Sequence, residues 1–277
     1  MQLLPHKTKQ FLSLVIKIFI VIACCYGITQ KIMNNDALRW EVFIMKMNSS
    51  TIFKLKNIFL IFFVTFLNWF FEILKWQTLV ASFQQISFFK ASIQSLASLT
   101  VSLITPNKVG EYGAKSLYFE KEHRLKIVGF NFLGNFHQLL TTLIFGSLGI
   151  VFLLSKHHDL THVSDFFLPL FLVLMISFFL LLLLKQIRLV SNYFLKVKKN
   201  ISNITVKTQL KIFIYASIRY VLFSHQFYFL MTLFHIHISY VEAISLIALM
   251  YLISSIIPML SLFDAVLKGS IAVWLFS

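Results

Sequence analysis

Hydrophobic residues come along this chain in long blocks divided by short, mostly basic gaps. Apolar runs cover residues 11–28, 58–75, 91–105, 127–154, 166–184, 211–234, 241–257 and 265–276. Roughly 20 mainly apolar residues in helix cross a bilayer, so most of these runs predict spanning helices. Two do not fit. Residues 91–105 are short and rich in Ser, Thr and Gln, and 265–276 are too few to span. The pattern predicts an all-α polytopic membrane protein with about 6–8 transmembrane or re-entrant helices. It reads as one integral membrane domain over 1–277, with halves 1–155 and 165–277. The short last run gives the expectation that the C-terminus is incomplete.

Composition supports this reading. Of the 277 residues 58% are hydrophobic and 13% charged, about half the charged share of an ordinary soluble domain. The net charge of +15 would otherwise point to nucleic acid. Here the basic residues fall in the gaps, where they set orientation, so a nucleic-acid partner is not expected. The gap from 185 to 211 holds seven basic residues, from Lys185 and Arg188 to Lys207 and Lys211, and no acid. It is expected in the cytoplasm, as are Lys121, Arg124 and Lys126 and the N-terminus. Residues 31–57 fit poorly, because they should lie outside yet carry five basic residues. The predicted location is the cytoplasmic membrane. Cys24 and Cys25 are adjacent and make no disulfide framework.

Two interruptions share a pattern. In the first, Pro106 is followed by Gly110, Glu111 and, four residues on, Lys115. In the second, Pro258 is followed by Asp264 and, again four on, Lys268. Proline ends the helix before it, and a carboxylate in the first turn of the next is favoured by the helix dipole. Asn107 and Ser261 are the expected caps. The carboxylate–lysine pairs would stabilise a helix start in any setting. In so apolar a chain, broken helices survive only where they are buried or line a cavity. An odd number of spans between the two motifs makes them enter from opposite faces, which suggests an inverted repeat with two broken helices.

Other polar groups lie within the predicted spans. Glu72 and Lys75 are three apart and expected at the cytoplasmic end of the second run. Glu72, His137 and His225 are secondary candidates for the site. Arg219 lies about 12 Å along its span at 1.5 Å per residue and is the best candidate for a phosphate, which guanidinium grips with two parallel bonds. The histidines at 157, 158, 162, 235 and 237 fit no strong metal pattern, and no metal or cofactor is expected. No Gly-rich phosphate loop, Ser/His/Asp set or paired catalytic carboxylates can be read, so an enzyme is the less favoured class.

From Ser102 through Pro106, Gly110 and Glu111 to Lys115, the chain resembles the membrane region of lysylphosphatidylglycerol synthases, the multiple peptide resistance factor family. Asn68-Trp69, Lys75-Trp76 and the stretch from Pro258 to Gly269 resemble further parts of that region. The resemblance does not extend to the soluble aminoacyl-transfer domain of the full-length enzymes, so lysyl-lipid synthesis is not implied. The resemblance implies a polytopic helical fold and movement of lipid between leaflets. The expected activity is therefore that of a flippase-like protein handling a polar or anionic headgroup. Its site would comprise Pro106, Gly110, Glu111, Lys115, Arg219, Pro258, Asp264 and Lys268. The alternative is a membrane-embedded enzyme, or an accessory subunit, of lipid or polyprenyl-glycan assembly. Membrane lipids are the expected partners, with a separately encoded enzyme as a further candidate.

Overall fold

A computed structural model describes residues 44–45, 50–103, 105, 108–156, 204–236, 238–257 and 263–276. The runs at 11–28 and 166–184, the residues Pro106, Asn107, Pro258 and Ser261, and the histidines at 157, 158, 162 and 237 lie outside them. Among the described residues the structure is helical, without strands. Its helices are α1 (Leu55–Ala81), α2 (Phe88–Leu103), α3 (Val109–Leu117), α4 (Arg124–Lys156), α5 (Val206–Leu233), α6 (Tyr240–Ile256) and α7 (Asp264–Phe276). A short 3₁₀ turn, Lys121–His123, leads into α4. Two stretches, Leu55–Ala81 and Lys121–Ser155, are long and apolar enough to cross a membrane, each with an 18-residue segment of mean hydropathy 1.9. α1 also leaves Leu55, Phe59, Phe62, Phe63 and Phe66 exposed.

The long helices α1 and α5 run antiparallel, joined along their length by polar and aromatic contacts. Gln226 donates to Thr65 Oγ1 at 2.8 Å, Arg219 reaches Asn68 and Glu72, and Tyr215 meets Phe71 with ring centroids 6.0 Å apart. α4 packs against α6 in the same antiparallel sense, through two glycines. A Cβ on Gly149 would sit 2.8 Å from the carbonyl oxygen of Ser245, and one on Gly146 would sit 2.8 Å from Leu252 Cβ. Only hydrogen fits there, so the helix backbones close to contact.

The remaining helices form two hairpins. α2 starts beside the end of α1, where Trp76 Nε1 donates to Gln94 at 2.8 Å. α3 returns the same way, since Phe119 packs on the core that holds Phe83 and Ile86. The second hairpin, α6–α7, begins and ends at the far end of α5. Tyr240 bonds His225 at 2.7 Å, and Phe276 faces Phe227 at 6.4 Å. The hairpins therefore enter the bundle from opposite ends. Their tips approach one level of α4. Tyr112 bonds Asn135 at 3.1 Å, and Leu252 packs at Gly146. The region between, Gln138 to Thr142, is near the middle of this helix of about 50 Å. One apolar core lies on either side of that level: Trp76, Leu79, Ile127 and Phe130 in one, Ile247, Met250, Leu267 and Ile271 in the other.

One local expectation is corrected. The second run does not stop at Lys75, because α1 continues to Ala81. Glu72 and Lys75 are thus buried inside the bundle rather than at a helix end. The start of α3 is held by Thr105, whose hydroxyl accepts from Gly110 N–H at 2.9 Å. Lys108 occupies the cap position with φ 56° and makes no side-chain cap bond.

Candidate functional site

A cavity of about 670 Å³ opens where the two hairpin tips face α1, α4 and α5. Its charged lining is Glu72, Glu111 and Asp264 against Lys108, Arg219 and Lys268. These six residues come from four stretches of chain, which only the fold brings together. Ser95, Ser102, Ser254 and Ser255 add hydroxyls from the two hairpins. A water-free apolar bundle would not tolerate such groups without partners, and most of them are paired.

Arg219 anchors the α1–α5 side. Its Nε donates to Asn68 Oδ1 at 2.9 Å and to the Asn68 carbonyl at 3.2 Å. Its Nη1 donates to Glu72, and to Gln138 Oε1 at 3.2 Å. Glu72 also pairs with Lys75 at 2.7 Å. The guanidinium does not reach toward an end of the bundle; it is bonded inward across three helices. Its Nη2 has no protein partner among these contacts and belongs to a side chain that lines the cavity.

Each hairpin contributes one carboxylate–lysine pair, and the two pairs have equal length and different burial. Lys115 Nζ lies 2.6 Å from Glu111 Oε1, with side chains 2% and 12% exposed. Lys115 also donates to Asn131 Oδ1 at 2.8 Å and sits 4.4 Å from the centre of the Trp76 ring. Lys268 Nζ lies 2.6 Å from Asp264 Oδ2, with side chains 32% and 41% exposed. Its other contact is the Tyr251 ring at 5.2 Å. The first pair is buried and held on three sides, whereas the second is partly exposed.

Gly110 has a packing role. A Cβ there would meet Thr105 Oγ1 at 2.6 Å and the Val101 carbonyl oxygen at 2.8 Å. Glycine is what lets α3 begin flush against α2. Among the expected site residues, Glu111, Arg219, Asp264, Lys268 and Glu72 line the cavity, while Lys115 stands behind Glu111. His137 and His225 do not line it. His137 is buried, donates from Nδ1 to the Leu133 carbonyl at 2.8 Å and faces Phe213. His225 is exposed at the α5–α6 junction.

Lys108, Asn68, Gln138 and Ser95 belong to the lining although the sequence reading did not select them. Their signal was a polar stripe in otherwise apolar helices: Asn68 and Glu72, Ser95 and Ser102, and Gln138 and Thr142 recur at helical spacing. Ser95 Oγ is buried and has no hydrogen-bond partner, so one hydroxyl of this wall is left for something in the cavity. Counting Lys75 and Lys115 behind the wall, five cations stand against three carboxylates. The site therefore carries an excess of positive charge and suits an anion. Among the described residues no cluster of His, Cys, Asp and Glu could hold a metal ion. Searches of family models, curated proteins and solved structures find no match for the chain.

Proposed function

We propose that the chain is a multi-pass protein of the cytoplasmic membrane that carries a lipid's polar, anionic headgroup between leaflets. The observation that carries this reading is the cavity. Two helical hairpins entering from opposite ends present Glu111 and Asp264, each with its lysine, to one polar space in the middle of an apolar bundle. Broken helices with polar ends at a midplane are the common construction of secondary transporters. The exposed phenylalanines of α1 would face acyl chains, since a patch of that kind is rarely left in water. Arg219, Lys108 and Lys268 would bind the phosphate, and Ser95 would supply a further hydrogen bond. The opposed hairpins would be the two units of an inverted repeat. This activity is also what the resemblance to the membrane region of lysylphosphatidylglycerol synthases implies.

Orientation follows from the loops. Lys90, Lys121, Arg124, Lys126, Lys207 and Lys211 share the end of the bundle at which the α2–α3 hairpin enters, and that end would face the cytoplasm. An embedded enzyme would need an acid/base pair at the cavity. His137 lies outside it and Glu111 is locked by Lys115, so that reading has less support.

The test is headgroup transfer in reconstituted vesicles, read by dithionite quenching of a fluorescent phosphatidylglycerol. Lys268→Gln and Asp264→Asn alter the exposed pair, so the fold should persist while transfer falls. Glu111→Ala is a poorer probe, because it strands the buried charge of Lys115. Unchanged transfer in both variants, at equal folded protein, would remove the assignment.

A further inference from the structure

A second cavity, of about 430 Å³, lies at the other end of the α1–α5 seam from Gln226. It is separate from the central site, because Lys211 and Arg219 are eight residues apart on α5, about 12 Å along its axis. Its walls are the end of α1 with the turn after it (Gln77, Thr78, Ser82, Gln85) and the first turns of α5 (Lys207, Thr208, Lys211). Two properties of this lining point to a ligand. Lys207 and Lys211 are four residues apart on one helix face, an arrangement that repels in an isolated helix, and among the described residues no carboxylate lines the cavity. The donors are also incompletely used. Gln77 spends one amide hydrogen on the Ile86 carbonyl at 3.0 Å, which leaves the other. Gln85 is exposed.

The helix terminus itself is not the attraction, because Thr205 already caps α5 by accepting from Thr208 N–H at 3.3 Å. The side chains set the chemistry. Two ammonium groups with amide donors on the facing wall match the oxygens of a phosphate. The cavity is larger than phosphate alone needs, and apolar Ala81 and Ile86 form part of it. Exposed Leu210 and Ile214 continue down α5 next to it, where acyl chains would run.

We infer that the groove between the end of α1 and the start of α5 is a binding site for a phosphate-bearing anion, with Lys207 and Lys211 as its ligands. A glycerophosphate headgroup of an anionic lipid fits the apolar flank; free phosphate shares the recognition chemistry. This site stands on its own lining and does not depend on the transport reading.

The experiment uses the full chain in nanodiscs of phosphatidylcholine with a titrated fraction of phosphatidylglycerol, and native mass spectrometry counts bound lipid. Each lysine close to an anionic headgroup is worth about fivefold in affinity. The Lys207→Gln/Lys211→Gln variant should therefore weaken retention of phosphatidylglycerol roughly tenfold or more. Lys90→Gln, at the same end but outside the cavity, should weaken it by less than about threefold on the same scale. Competition by inorganic phosphate would make free phosphate the occupant, and its absence would make the lipid so. Equal losses in the Lys90 variant and in the pair would mean diffuse attraction and would overturn the site. No loss in the pair would do the same, and headgroup transfer measured on the same preparations would report separately on the central cavity.

Discussion

The two carboxylate–lysine pairs form a controlled comparison within one molecule. Both join a first-turn acid to a lysine four residues on, at the same 2.6 Å, so helix-dipole and spacing effects cancel between them. They differ in exposure. Removing one member of a buried pair costs about 3–5 kcal/mol, because the other charge is stranded. Breaking an exposed pair costs about 0–1 kcal/mol. After Glu111→Ala, Lys115 would keep Asn131 and the Trp76 ring, which offsets part of the loss and sets the expectation near 3 kcal/mol at the lower end of that range. Asp264→Ala should cost at most about 1 kcal/mol, since both side chains are already about a third exposed to the cavity.

The predicted difference is then about 2 kcal/mol or more, roughly a thirtyfold difference in the ratio of folded to unfolded protein. Denaturation by sodium dodecyl sulfate in mixed micelles, followed by tryptophan fluorescence, reads it directly. A second variant separates the stranded charge from lost contacts. Glu111→Ala combined with Lys115→Met removes both ions, and part of the stability should return, leaving a deficit of about 1–3 kcal/mol for an Asn131 without its partner. If the Glu111 and Asp264 variants lose the same stability, burial does not distinguish the two pairs. If the double variant is worse than Glu111→Ala, the stranded charge was not the cause.

Two further outcomes test the packing and the arrangement of the hairpins. Gly149→Ala should destabilise by about 1–3 kcal/mol, because the new methyl meets the Ser245 carbonyl and backbone has to move. Gly113→Ala meets nothing within 4 Å and should gain up to about 1 kcal/mol from helix propensity; the same unfolding assay would expose a reversed order. With Cys24 and Cys25 replaced by serine, a cysteine at position 90 and one at position 240 should react with impermeant maleimide from opposite sides of sealed vesicles. Labelling of both from one side would contradict entry of the hairpins from opposite ends.

What the sequence could reveal depended on whether a signal was local. The helices from α1 onward follow the apolar runs to within a few residues, except for α3, which matches no apolar run, and where α1 passes Lys75. There the charges Glu72 and Lys75 resemble a helix end, because an isolated span would put them at the interface. The helix continues because Arg219, on a helix more than a hundred residues away in the chain, neutralises Glu72. That compensation is tertiary, and no window of sequence contains it. The carboxylate–lysine pairs were legible for the opposite reason: each closes within one turn.

The cavity wall lies between these cases. Single serines and glutamines in apolar helices are ambiguous, since Ser98 and Ser102 also bond their own backbone at 2.9 and 2.7 Å. Their spacing shows which face they share but not what that face meets. Lys108 was the least legible, because its place in the lining follows from a left-handed backbone just after the break. Residues of this β-carbon-bearing kind rarely adopt that conformation without a local reason. The reason here is the turn itself: Thr105 and Gly110 bring α2 and α3 into contact, and Lys108, just before α3, takes the left-handed backbone. The same contact that requires glycine at 110 thus sets the lysine at the mouth of the cavity. Widening it with Gly110→Ala should therefore disturb Lys108 and Glu111 together rather than either alone.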